Sequence, residues 1–143
     1  MTGIARLTPI GCLVLAATLG AGCSDAATPT SPTATPTSPV SVTYSTAFAP
    51  AGAAARAFRA SQAGSVSVTL VSAGPPATVL LGLGVGIPRA DGGGCMLASS
   101  VITPAGPTAQ LTTSVDEGDY CVKVLDVGML TEMVSVTITL VHP

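Results

Sequence analysis

The sequence predicts an all-β protein built as an antiparallel β-sandwich, on three observations. Downstream of residue 39, apolar and small polar residues alternate with a period of two in one short run after another. Between the runs stand Gly64, Gly74-Pro75-Pro76, Pro88, Asp91-Gly92-Gly93-Gly94, Pro104 to Pro107, Glu117-Gly118 and Gly128, which are turn formers at short intervals. No stretch sustains a helical period. Short strands with regular breaks pack best as two sheets face to face.

The elements follow in order. Val40, Val42 and Tyr44 alternate with Ser41 and Thr43. Residues 51–60 are Ala-rich and suit a helix or a strand. Val66, Val68 and Leu70 alternate with Ser65, Ser67 and Thr69. Val79, Leu81, Leu83 and Val85 alternate with Leu80, Gly82 and Gly84. Leu111, Thr113 and Val115 come next, then Tyr120, Val122 and Val124. The last run sets Val134, Val136, Ile138 and Leu140 against Ser135, Thr137 and Thr139. One set of each alternation makes an aliphatic core, with Phe48, Phe58 and Tyr120 as its large side chains. Met96, Met129 and Met133 read as gap-fillers. The other set leaves outer faces of Ser and Thr.

The chain divides into residues 1–22, a signal peptide; 23–39, a linker; and 40–143, the sandwich domain. Arg6 precedes an apolar run from Ile10 to Leu19, the layout of a secretory signal. The run is shorter than the roughly 20 residues a membrane helix needs. Leu19-Gly20-Ala21-Gly22-Cys23 resembles the lipobox of bacterial lipoproteins. Ala21 and Gly22 fit that pattern; Gly20 stands where Leu is usual, with Leu19 one residue earlier. The resemblance implies cleavage before Cys23 and acylation of Cys23 with palmitate-type chains. The partner is then a lipid bilayer, and the address is the bacterial cell envelope, at the outer membrane on its periplasmic or surface side. Several acyl chains hold firmly, at ~0.8 kcal/mol per buried CH₂. An ordinary signal-peptidase cut after Ala27 would instead discard Cys23 and leave a secreted chain. Residues 26–39 repeat Thr-Pro-Thr-Ser-Pro and carry no apolar side chain larger than Ala. Nothing there offsets ordering entropy, so the segment reads as a disordered, extended spacer reaching about 40 Å at ~3.1 Å per residue.

The chain has four cysteines. Cys12 belongs to the signal and Cys23 to the lipid. Cys95 and Cys121 remain as one pair in a compartment that permits oxidation. Zinc wants four N/S ligands, and a catalytic thiol wants a basic partner; neither is in view. The pair reads as a structural disulfide.

Gly118-Asp119-Tyr120-Cys121-Val122-Lys123-Val124 resembles the Gly-x-Tyr-x-Val-x-Val strand of bacterial pre-peptidase C-terminal (PPC-like) domains. Arg56-Ala57-Phe58, followed by Gly64 to Leu70, is similar to that family's early pair of strands. The resemblance covers 42–141 and implies a β-sandwich of jelly-roll type with about eight strands. It also implies an accessory module, of which some members bind calcium or substrate polymers. This chain differs in lacking a protease, in carrying an anchor and spacer, and in having Cys121 where an aromatic is common. If Tyr120, Val122 and Val124 face inward, Cys121 and Lys123 face outward. The disulfide would then clip the Gly-rich 91–97 loop onto an outer sheet face.

After residue 22 the chain holds Arg56, Arg59, Arg89 and Lys123 against seven acids, a net charge of −3. That excludes a basic nucleic-acid face. Asp116, Glu117, Asp119 and Asp126, with Asp91 drawn near by the disulfide, are oxygen ligands suited to Ca²⁺ or simply the acids of a solvated hairpin; no calcium-loop spacing is present. No other cofactor is expected. His142 reads as a frayed terminal residue without a partner for base catalysis. Ser99 and Ser100 sit in a polar stretch without a nucleophile elbow. Asp91 to Gly94 lacks the Lys of a phosphate loop. Met129-Leu130 reads as an exposed apolar loop tip and a protein-contact spot. The expected function is a non-enzymatic, membrane-anchored envelope lipoprotein that presents a binding or structural module to an envelope protein or glycan. The alternative is a calcium- or glycan-binding adhesion-type accessory domain; an enzyme is the least favoured reading.

Overall fold

The computed structural model describes residues 38–143. The expected signal peptide, Cys23 and the 23–39 linker up to residue 37 lie outside the described residues. Eight strands follow in chain order: β1 Val40–Phe48, β2 Ala53–Ala60, β3 Gly64–Gly74, β4 Leu81–Pro88, β5 Cys95–Thr103, β6 Leu111–Val115, β7 Gly118–Asp126 and β8 Val134–His142. They form two four-stranded sheets, ordered β1-β8-β3-β6 and β2-β7-β4-β5. Every pairing is antiparallel. Only the β4–β5 hairpin keeps consecutive strands in one sheet; the other connections pass to the opposite sheet.

The core lies between the sheets and is aliphatic, as alternation requires. Val66, Val68, Leu70, Leu81, Leu83, Val122, Val124, Val134, Val136, Ile138 and Leu140 are all under 2% exposed. Phe48 is buried, while Phe58, Tyr120 and Tyr44 pack partly buried against the core.

The structure decides one open reading and corrects several expectations. Of the helix or strand that the Ala-rich 51–60 segment suits, the chain forms the strand, β2 at Ala53–Ala60. Arg56 to Phe58 lies in β2 and Gly64 to Leu70 in β3, on opposite sheets. The polar stretch around Ser99 and Ser100 is strand β5. Met96, Met129 and Met133 fill no gap; each is more than half exposed. At the 129–130 tip, Met129 is exposed but Leu130 is buried in the core. His142 is not frayed: it is 8% exposed, continues the inward set of β8, and its ring lies 5.0 Å from that of Phe58.

Two bulges explain where the alternation slips. Val71 is an extra residue in β3, so that Leu70 and Ala73 are both buried although three residues apart. Ala98 is extra in β5, between Leu97 opposite Gly86 and Ser99 opposite Val85. It reverses which residues of β5 face out.

The outer face of β4 is a column of Gly82, Gly84 and Gly86, all buried. Neighbouring side chains occupy the space: a Cβ on Gly82 would meet Leu125 at 2.9 Å, and one on Gly84 would meet Leu97 at 2.7 Å. A Cβ on Gly86 would strike the backbone carbonyl of Met96. Backbone cannot give way as a side-chain tip can. We therefore expect Gly86→Ala to destabilise by ~1–3 kcal/mol, in the range of overpacking, and Gly82→Ala by clearly less, because Leu125 can rotate. Urea unfolding of the two variants measures the difference.

Candidate functional site

The one covalent constraint among the described residues braces the β4–β5 hairpin. Cys95 opens β5 opposite Pro88, and Cys121 lies in β7 opposite Gly86. Their disulfide therefore passes over β4, with Cα atoms 5.8 Å apart. Both cysteines are buried, yet neither belongs to the core between the sheets. The bond lies on the outer face of the second sheet. Two local features allow it: Gly86 presents no side chain there, and the Ala98 bulge turns Cys95 outward.

Beyond the brace the hairpin closes on backbone contacts. The Arg89 N–H donates to the Gly94 carbonyl at 2.9 Å, and the Gly92 N–H to the Arg89 carbonyl at 3.1 Å. Asp91 Oδ1 accepts the Gly93 N–H at 2.8 Å. Gly92 and Gly94 have φ of +71° and +110°, backbone that only glycine adopts freely. Ile87 and Met96 face each other across the hairpin and are 46% and 53% exposed. With Pro88, Arg89, Ala90 and Asp91 they line a shallow concavity of about 550 Å³. An apolar pair on a covalently held hairpin can contact a partner with little ordering cost. Sequence reasoning named Met129 as a contact residue and passed over this pair, because nothing in the sequence marks Ile87 and Met96 as facing each other outside the core.

The acidic residues are dispersed. Asp119 and Glu117 both hold Arg59, at 3.1 and 3.5 Å, in an exposed cluster. Such pairs contribute at most about 1 kcal/mol. Asp126 lies at the other end of β7, seven residues from Asp119, or roughly 23 Å along a strand. Its Oδ1 accepts the N–H groups of Gly128, Met129 and Leu130, at 2.8, 2.9 and 3.2 Å, and its Oδ2 accepts that of Ala51 at 2.8 Å. One carboxylate thus ties the β1–β2 turn to the β7–β8 loop. The Asp126-x-Gly128 spacing is the sequence signal for the loop half of this role. No group of three or more His, Cys, Asp or Glu side chains able to hold a metal ion occurs among the described residues.

Among the described residues, Asp126 and Tyr44 carry shifted pKa values. The Ala51 N–H, followed by those of the 128–130 loop, holds the Asp126 carboxyl below its ordinary value of 3.8. Burial pushes the Tyr44 hydroxyl up to about 12, and the Arg56 guanidinium, 4.9 Å from the ring centroid, pulls the other way. His142 Nδ1 lies 3.1 Å from the Pro143 carbonyl and its ring packs on Phe58, an arrangement that stabilises packing.

No family model matches the chain, and no curated protein matches it. A solved structure of Bacillus endospore appendages, described as a family of disulfide-linked pili, is similar at 14% identity over 73% of this chain and 87% of that one, with a TM-score of 0.38. At that level nothing about assembly or function passes from one chain to the other.

Two outcomes follow. Asp126 has a lower pKa folded than unfolded, so its contribution is present above 3.8 and lost as pH falls through the folded value. Asp126→Asn, which loses the charge, should melt at a lower temperature at neutral pH and show a shallower fall in melting temperature below 3.8; thermal melts followed by circular dichroism across that range decide it. Separately, Cys95→Ala with Cys121→Ala opens a loop with a sequence separation of 26. It should cost about 3 kcal/mol in the chain-entropy model, read by chemical denaturation of oxidised protein against the double variant.

Proposed function

We propose that this chain is a lipid-anchored envelope protein whose β-sandwich acts as a non-enzymatic binding or structural module. The observation that carries the reading is Leu19-Gly20-Ala21-Gly22-Cys23, which ends an apolar run and opens a Pro/Thr/Ser-rich stretch. Acyl chains on Cys23 anchor the chain in the outer membrane, and the spacer lifts the sandwich away from the bilayer. The PPC-like strand motif around Tyr120 and the passage of most connections from sheet to sheet support a jelly-roll module of accessory type. His142, packed on Phe58 and set against the Pro143 carbonyl, fits a packing role within such a module. The braced hairpin with Ile87 and Met96, and the exposed Met129, are the surfaces through which such a module meets an envelope protein.

Mass spectrometry of the mature N-terminus tests the anchor. The expected product begins at Cys23 and carries acyl mass. Cys23→Ser should move the protein from the membrane fraction to the soluble fraction. An unmodified start at Ser24 or beyond, including one after Ala27, overturns the reading.

A further inference from the structure

The sandwich has four edge strands, and three of them are protected against further pairing. β6 is only five residues long. β2 carries Arg56 and Arg59. β5 is bulged at Ala98. Short length, charge and bulges are the usual devices that keep a sheet edge from pairing with another chain. β1 has none of them. It is nine residues long, Val-Ser-Val-Thr-Tyr-Ser-Thr-Ala-Phe, with no charge and no proline. It pairs with β8 in nine consecutive register positions without a shift. Val, Thr, Tyr and Phe favour strands, and among the described residues no other strand pairs with its far edge.

The order of side chains along β1 indicates what fits there. With Tyr44 opposite the Tyr44 of a second copy, antiparallel pairing sets Val40 against Phe48, Val42 against Thr46, Ser41 against Ala47 and Thr43 against Ser45. Inward residues meet inward residues, and outward meet outward. The classes are those β1 already meets on β8, where Phe48 faces Val134, Val42 faces Leu140, Ser45 faces Thr137 and Thr43 faces Thr139. The hydroxyl contacts on that side are 2.8 Å for Thr43–Thr139 and 2.9 Å for Ser45–Thr137. A second β1 offers the same small hydroxyls at the same positions. Arg56 reaches Tyr44 from the opposite sheet, so it lies off the plane of strand pairing.

We infer that β1 is a self-docking edge. Two copies pair antiparallel through β1 about Tyr44, joining their β1-β8-β3-β6 sheets into one continuous sheet with a two-fold interface. The joined sheet presents a continuous outer face made mostly of Ser and Thr.

Sedimentation velocity of the full chain over a range of concentrations tests this, with two charge variants. In Thr43→Lys with Ser45→Lys, lysine faces lysine twice across the axis. In Thr43→Lys with Ser45→Glu, lysine faces glutamate twice. Both variants lose the same contacts to Thr137 and Thr139, so a difference between them reports the docking edge, and their melting temperatures report the fold. The expected result is a wild-type dimer, a Lys/Lys variant with affinity weakened about tenfold or more, and a Lys/Glu variant that recovers the dimer. A wild-type chain that stays monomeric, whether because residues before 38 cover the edge or because a different protein supplies the strand, overturns the inference. So does equal association of the two variants.

Discussion

The domain depends on one contact, the face-to-face burial of the four central strands. β8 and β3 lie inside one sheet, β7 and β4 inside the other. Their inward residues are Val, Leu and Ile, from Val66 on β3 to Leu140 on β8, nearly all without exposed surface. Aliphatic side chains of similar length fill the roughly 10 Å between sheets evenly. The aromatic rings stay toward the rim, where Phe58 stacks on Tyr120 at 5.8 Å and His142 packs beside it. Because most connections change sheet, almost none of this contact is local in sequence. Each strand is fixed by partners distant along the chain, and the turns serve to deliver strands to those partners.

The two outer faces solve different problems. On the first sheet, outward Ser and Thr pair hydroxyl to hydroxyl across strands: Thr43 with Thr139, Ser45 with Thr137, and Ser67 with Thr112. Exposed hydroxyls can bond water as donor and acceptor, so the face needs no charge to stay solvated. On the second sheet, the glycine column of β4 leaves a trough that Leu125, Leu97 and the Cys95–Cys121 bond cover. A side chain at Gly86 would displace the backbone of the bulge beside it. The glycines, the bulge and the disulfide are therefore one device. It fixes the base of the β4–β5 hairpin against a sheet face that would otherwise have little to hold it.

Much of the fold is legible in the sequence because Val42 and Tyr44 of β1, Val66 to Leu70 of β3, Tyr120 to Val124 of β7 and Val134 to Leu140 of β8 keep one alternating phase over most of each strand. The reading fails where alternation no longer reports side. In β5 the bulge at Ala98 puts Ser99, Val101 and Thr103 on the inner side but Leu97 and Cys95 on the outer one, so no single phase runs through the strand. Thr103 is buried there because its hydroxyl is satisfied by the Pro104 carbonyl at 2.9 Å. In β2, alanine occupies both faces and Arg56 takes an inward position, which its contact with Tyr44 makes tolerable. His142 could have been placed by extending the alternation of β8 one step further; its position near the chain end obscured that. Of the candidate site, the outward Cys95–Cys121 bond follows from the phase of β7. The exposure of Met96 depends on where the hairpin leaves the sandwich, which periodicity does not encode.

Charge is scarce in this chain, and where it occurs it is mostly committed to structure. Arg59 is shared by Glu117 and Asp119, Arg56 lies over Tyr44, and Asp91 is turned onto its own loop. Asp126 is the clearest case. Four backbone N–H groups converge on its two oxygens, and they lower its pKa and hold the carboxylate to two loops. The acids that look in sequence like a loose ligand set are thus separated into a surface cluster, a loop staple and a hairpin cap. The side chains of Arg89, Lys123, Asp116 and Glu132 take part in none of these contacts; beside them the surface offers hydroxyl rows, a small apolar pair on a braced hairpin, and an uncharged strand edge. Under the proposed binding role, such a surface would meet partners mainly through shape and backbone pairing. Its associations should therefore depend on strand register and packing far more than on ionic strength.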